Sequence, residues 1–194
     1  MELVDVATLY PLLRRHISGP LDDMMRDALV SSAIRFCRDS RFLVDVTTIL
    51  NVKAGVAVNV SQITGVKASD LNSVLDDKGM TLQGGVDYFV PSANQIIPQR
   101  DFAAISIGFC AEPIRSATAL PAPLLDDYAE TIVCGALVTL FLKPNQIWSS
   151  ADQAQVYEAQ FTDGCRRATR FRLEQSRDPV QSDFENPGRA HHFY

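Results

Sequence analysis

The sequence predicts an α+β chain: a four-helix bundle with a β-rich insertion between its second and third helices, followed by an extended C-terminal arm. Three observations predict it. Apolar residues recur at helical spacing over residues 2–39 and again over 120–175. Residues 42–115 instead alternate apolar and polar positions and are rich in β-branched side chains, as half-buried strands are. From Ser176 the periodicity stops and Pro179 and Pro187 appear. The expected divisions are therefore 1–41 and 120–175 for the two parts of the bundle, 42–119 for the insertion and 176–194 for the arm.

The first helix is expected over 2–17, with Val6, Leu9, Leu12 or Leu13, and His16 on one face and Pro11 kinking it. Ser18-Gly19-Pro20 is a turn that places Pro20 at the first position of a second helix, 20–39. Asp22 and Asp23 early and Arg38 late suit the helix dipole. Met25, Leu29, Ser32 or Ala33, and Phe36 make its buried stripe, and Asp22 is placed to pair with Arg26 one turn on. Strands are expected at 42–50 ("FLVDVTTIL") and, after a turn at Gly55, at 56–63 ("VAVNVSQI"). Asp70 to Gly79 is a polar stretch anchored by Leu71 and Leu75. "GG" at 84–85 precedes "VDYFV". Two more strands follow in "NQIIPQ" and "AAISIGFCAEP", with Pro98 at an edge or bulge.

Pro121 and Pro123 announce the third helix, whose face carries Leu125, Tyr128, Ile132, Gly135, Thr139 and Leu142. From Ile132 to Leu142 there is no charge, and Thr139 alone is polar. A helix apolar nearly all round must be covered nearly all round. The segment is too short to span a membrane, which takes about 20 apolar residues, and Asp126, Asp127, Glu130 and Lys143 bracket it. Two candidates for its cover remain, the chain's own core and a neighbouring copy of the protein. Ser149 or Ser150 then caps a last helix running to about Gln175, with Ala154, Tyr157, Phe161, Cys165, Ala168 and Phe171 as its stripe.

At 194 residues, with 46% hydrophobic and 21% charged side chains, the composition is that of a globular domain with a real core. A formal charge of −5 argues against a protein held on nucleic acid by bulk electrostatics. No secretory signal is visible, so a soluble protein made in a cytoplasm is expected. Cys37, Cys110, Cys134 and Cys165 are far apart, without a CxxC, and read as buried free thiols.

No coherent catalytic set emerges. There is no phosphate-binding loop, no nucleophile elbow and no HExxH helix. The acid pairs Asp22-Asp23, Asp76-Asp77 and Asp126-Asp127 read as decoration, because adjacent carboxylates on a helix point different ways. His191-His192 lack a nearby cysteine or acid cluster, so no metal and no cofactor are expected. One charge cluster stands out: Arg166, Arg167, Arg170, Arg172 and Arg177. It reads as a solvated helix face or as a contact surface for an acidic partner. A phosphate surface ranks third, since Phe161 and Phe171 lie on the buried stripe.

The order of parts resembles head-to-tail adaptor (connector) proteins of tailed bacteriophages, akin to the tail tubular protein A of short-tailed phages. Four stretches carry the resemblance: "MRDALVSSAIRFCRDSRF" (24–42), "GVDYFVPSANQIIPQ" (85–99), "LPAPLLDDYAETIVCGALVTLFLKPNQIW" (120–148) and "AQVYEAQFTDGCRRATRFR" (154–172). Together they cover roughly residues 20–175, and their order and spacing matter more than any single motif.

The resemblance implies a structural virion protein assembled in the bacterial host cytoplasm. It would form a homo-oligomeric ring, commonly of twelve copies, in the neck beneath the portal protein. Such a ring extends the DNA channel and offers a platform to a downstream tail or neck protein. Genomic DNA would pass through its acidic lumen without specific binding, because tight phosphate contacts would hold it. Ring contacts are heterologous. Phe141, Lys143 and Trp148 are expected at the subunit interface, Trp148 as a loop-edge anchor. The arm would dock on the portal through Arg177, Phe184, His191, His192, Phe193 and Tyr194; its nineteen residues can extend about 60 Å. Two alternatives stand beside this reading: a tail-completion ring of the same neck, and a small helical nucleic-acid-binding regulator using the arginine-rich last helix.

Overall fold

The computed structural model describes residues 1–175. In chain order it has β1 (Leu3–Asp5), a 3-10 turn (Val6–Leu9), α1 (Tyr10–Arg14) and α2 (Asp22–Ser40). Then come β2 (Val44–Val52), β3 (Val58–Asn59), β4 (Val66–Asp76), β5 (Tyr88–Ser92), β6 (Gln95–Pro98), β7 (Phe102–Pro113) and β8 (Ala119–Pro121). The chain continues through α3 (Ala122–Phe141) and α4 (Ala151–Gln175). The fold class is α+β. The strands form antiparallel sheets in the orders β2-β7-β4, β3-β6-β5 and β1-β8. α2, α3 and α4 pack on one another, and α2 also leans on β7.

The α2 stripe is as expected: Met25, Leu29, Ser32, Ala33 and Phe36 are all buried. Ser32 turns its hydroxyl onto the Ile132 carbonyl of α3 at 2.7 Å, which satisfies a polar group inside the helix pack. α2 ends with Arg41 in the left-handed region (φ 50), its N–H bonded to the Cys37 carbonyl. That backbone disfavours side chains with a β-carbon. The Arg41 guanidinium pairs with Asp70 of β4 at 3.1 Å. On β7, Ile105, Ile107 and Phe109 are fully buried and centre the sheet's share of the core.

The N-terminus departs from the expectation of a helix over 2–17. Leu3, Val4 and Asp5 pair with Pro121, Leu120 and Ala119. Asp5 then accepts the Ala7 N–H at 2.8 Å and starts the turn. Pro11 sits in the first turn of α1, where its missing N–H costs nothing, so it kinks no helix. Asp22 pairs with Arg14, and Arg26 pairs with its own neighbours Asp23 (3.1 Å) and Asp27 (3.7 Å).

Two strands also differ from expectation. The polar stretch from Asp70 belongs to β4, an eleven-residue strand with irregular register at Ala68/Asp70 and Leu71/Ser73. Of residues 56–63, only Val58 and Asn59 pair as strand. Pro98 ends β6, where it pairs with Tyr88.

α3 is covered by its own chain. Ile132, Val133, Ala136, Leu137, Val138, Leu140 and Phe141 are all buried, while Thr139 and Leu142 are exposed. The cover comes from α2, α4, α1 and the β1-β8 pair. Of the two sources of cover left open by the sequence, the chain's own core supplies it for these residues. A small-residue contact lets α4 close on it: Gly135 lies against Phe161, and Gly164 against Thr131. Ser150 caps α4 by accepting the Gln153 N–H. Of the expected α4 stripe, Ala154, Phe161, Cys165 and Ala168 are buried. Tyr157 is half-buried and stacks on Phe141 at 5.7 Å, and Phe171 stays 45% exposed.

Candidate assembly surfaces

Several charged side chains are already spent on partners within the fold. Glu112, on β7, has its side chain 2% exposed and sits between Arg38 of α2 and Lys67 of β4. Arg38 grips it with two bonds, at 2.6 and 2.8 Å, and Lys67 lies 3.2 Å away. Burial alone would push the Glu112 carboxyl up; Arg38 and then Lys67 overcome this and hold it below its ordinary value. A cavity of about 460 Å³ opens here, lined by these three residues with Arg41 and Asp70. Its charges are paired with one another, so it joins α2 to the sheet. The signal for Glu112 was present in the sequence as the lone charge in "AAISIGFCAEP".

Arg35 is a second hub that sequence reasoning did not single out. It pairs with Glu158 of α4, lies 3.5 Å from Asp39 and places its guanidinium 4.5 Å from the centre of the Phe161 ring. The hydrogen bonds that Arg35 donates to the Glu158 carboxylate raise the Arg35 pKa and lower that of Glu158.

The structure separates the four arginines expected as one basic surface. Arg166, Arg167 and Arg170 are exposed, while Arg172 is half-buried. Arg167 is paired with Asp163 at 3.2 Å and lines a cavity of about 930 Å³ with Asp126, Asp127 and Glu130. Arg166 and Arg170 line the other side of α4, where cavities of about 440 and 620 Å³ adjoin and share Thr162 and Arg166.

Of the expected interface residues, Phe141 points inward onto Tyr157, and Lys143 and Trp148 are half-buried. Trp148 packs on Gly19: a β-carbon there would come within 2.5 Å of its ring. Its neighbour Ile147, which sequence reasoning passed over, is fully exposed at 104%, and Leu142, just after α3, is 59% exposed. A second exposed apolar set lies on the sheet edge, where Val44, Val46 and Leu50 of β2 are 46%, 65% and 68% exposed. The portal-binding positions Arg177, Phe184, His191, His192, Phe193 and Tyr194 lie outside the described residues.

Cys37, Cys110 and Cys165 are buried free thiols and Cys134 is half-buried. Burial, with Asp39 nearby, pushes the Cys165 thiol up to about 12, and burial also raises Cys37 and Cys134. Thiols so shifted are poor nucleophiles. Among the described residues, no group of three His, Cys, Asp or Glu side chains stands together as a metal site, and no helix is long and apolar enough to cross a membrane.

No family model matches the chain, and no curated protein matches it. Among solved structures it is similar to a chain from the neck of an empty GTA particle computed with C6 symmetry. The identity is 16%, the match covers 83% of this chain and 95% of that one, and the TM-score is 0.28.

Proposed function

We propose that this chain is a structural part of a tailed-phage neck: a head-to-tail adaptor that forms a ring under the portal, extends the DNA channel and offers the tail its platform. The observation that carries this reading is the exposed apolar surface in two separate places. One is the α3–α4 loop with Leu142 and Ile147; the other is the edge strand β2 with Val44, Val46 and Leu50. Large exposed apolar side chains gathered into patches mark surfaces meant to be covered. β2 is nine residues long, contains no proline, and Asp45 is its only charge. An exposed edge with so little charge invites another polypeptide. The paired charges support the same view, since Arg38 and Lys67 are committed to the buried Glu112 and Arg35 to Glu158 and Asp39.

In this reading the arm from Ser176 reaches the portal, with Phe184, Phe193 and Tyr194 as anchors. The copy number, twelve, comes from the sequence resemblance. The test is electron microscopy of the purified chain mixed with the portal ring of the same phage. The expected result is added ring density beneath the portal, lost when residues beyond Arg177 are deleted. A full-length chain that never joins the portal overturns the adaptor reading. A deletion that joins as well as the full chain overturns the role of the arm.

A further inference from the structure

We propose that the two flanks of α4 are the two halves of a head-to-tail contact between copies of this chain, one flank acidic and the other basic. The inference rests on the ring reading above and names the surface the ring would use.

The acidic flank opens toward α1. Its cavity is lined by Asp126, Asp127 and Glu130 of α3, with Asp163 and Arg167 of α4. Asp163 and Arg167 neutralise each other at 3.2 Å. Asp126, Asp127 and Glu130 are exposed and make no ion pair among the described residues. Three negative charges are left over.

The basic flank opens toward α2. Its acids are Asp39 and Glu158, and both are taken up by Arg35. Arg166 and Arg170 are exposed there and make no ion pair among the described residues. Two positive charges are left over. The flanks share no lining residue, so one copy can use both at once.

Each flank also has apolar surface beside its charges: Phe171, 45% exposed, on the acidic side, and Leu142 and Leu173, 59% and 52% exposed, on the basic side. Charge complementarity sets the register of such a contact and apolar burial supplies affinity. Because the flanks differ, the contact is heterologous: it closes a ring when the turn per copy divides a full circle, and otherwise grows a filament. A second copy is the occupant the charges favour, since the same chain carries both complements on either side of one helix.

The experiment is charge reversal in the full-length chain, read by sedimentation velocity at low and high salt. Arg166→Glu with Arg170→Glu reverses one flank. Asp126→Lys, Asp127→Lys and Glu130→Lys reverse the other. Wild-type protein is expected to self-associate, more weakly as salt rises. Each reversed variant alone should associate about ten-fold more weakly or worse. An equimolar mixture of the two should recover association, because every contact in an alternating ring is again complementary. Thermal melts check that the variants fold, and Arg166→Gln with Arg170→Gln gives a milder second test of the basic flank.

Self-association that survives both reversals, or that the mixture fails to restore, overturns the flank contact and leaves the adaptor reading to the portal experiment. A wild-type chain that stays monomeric to about 1 mM at low salt, where even a weak pairing would show, also overturns it. Failure to join the portal, by contrast, sinks the adaptor reading whatever the flanks do.

Discussion

Gly135 and Phe161 stand so close that a β-carbon on Gly135 would come within 2.6 Å of the Phe161 ring. The ring is fully buried, and the Ser32 hydroxyl closes the other side of the glycine. Neither neighbour has room to give, because Ser32 is tied to the Ile132 carbonyl. Gly135→Val should therefore force α3 and α4 apart and cost about 1–3 kcal/mol. A lowered midpoint in urea unfolding is the expected result.

The same contact seen from the other side makes Phe161 the centre of the helix pack. Phe161→Ala removes a fully buried ring and leaves the Arg35 guanidinium over a hole. The expected loss is roughly 3–5 kcal/mol. A loss under about 1 kcal/mol, the size of an unremarkable surface change, would show that the ring is not core.

Glu112 should give the fold a measurable acid limb. Its carboxyl is held below its ordinary value of 4.5 in the folded chain. The stabilisation is fully present above that value and is lost as pH falls through the lower, folded value. Glu112→Gln should lower stability at pH 7 by about 1–3 kcal/mol, toward the low end for a broken buried pair because Arg38 and Lys67 keep much of their water. It should also flatten the pH profile between 5 and 3 (roughly the carboxylate range). Parallel profiles for variant and wild type would contradict the assignment.

Trp148 is the only tryptophan, so its fluorescence reports one place. Gly19 lies under its ring with φ of 112, a backbone region that side chains avoid. Gly19→Ala meets both obstacles and should cost about 1–2 kcal/mol. The emission should shift to the red as the indole gains water. An unchanged spectrum would mean that Trp148 does not rest there in solution.

What the sequence revealed depended on how local the signal was. The stripe from Met25 to Phe36 was readable because one helix face repeats every turn, and all its members are buried. Leu3 and Val4 fall within the helix expected over 2–17, but their partners are Pro121 and Leu120, at the far side of the insertion. Nothing local announces such a pairing. β4 was obscured by its own irregularities: Ala68, Leu71 and Val74 come three apart, because the register slips twice and the period-two pattern breaks.

The surfaces were legible in part. The arginines of α4 were recognised as a group, but which of them Asp163 neutralises depends on side chains meeting in three dimensions. Trp148 drew attention for its size, yet Gly19 receives it, and the plainer Ile147 beside it faces solvent. The apolar girth of α3 was correctly seen to demand cover. The chain's own helices provide it.

The β1-β8 pair has a consequence for synthesis. Leu3–Asp5 leave the ribosome long before Ala119–Pro121 exist; at ~5–20 residues per second the wait is on the order of ten seconds. This latch must therefore close after the intervening sheets are made, fastening the bottom of α3 at a late stage. A bulky fusion placed directly before Leu3 would crowd that fastening.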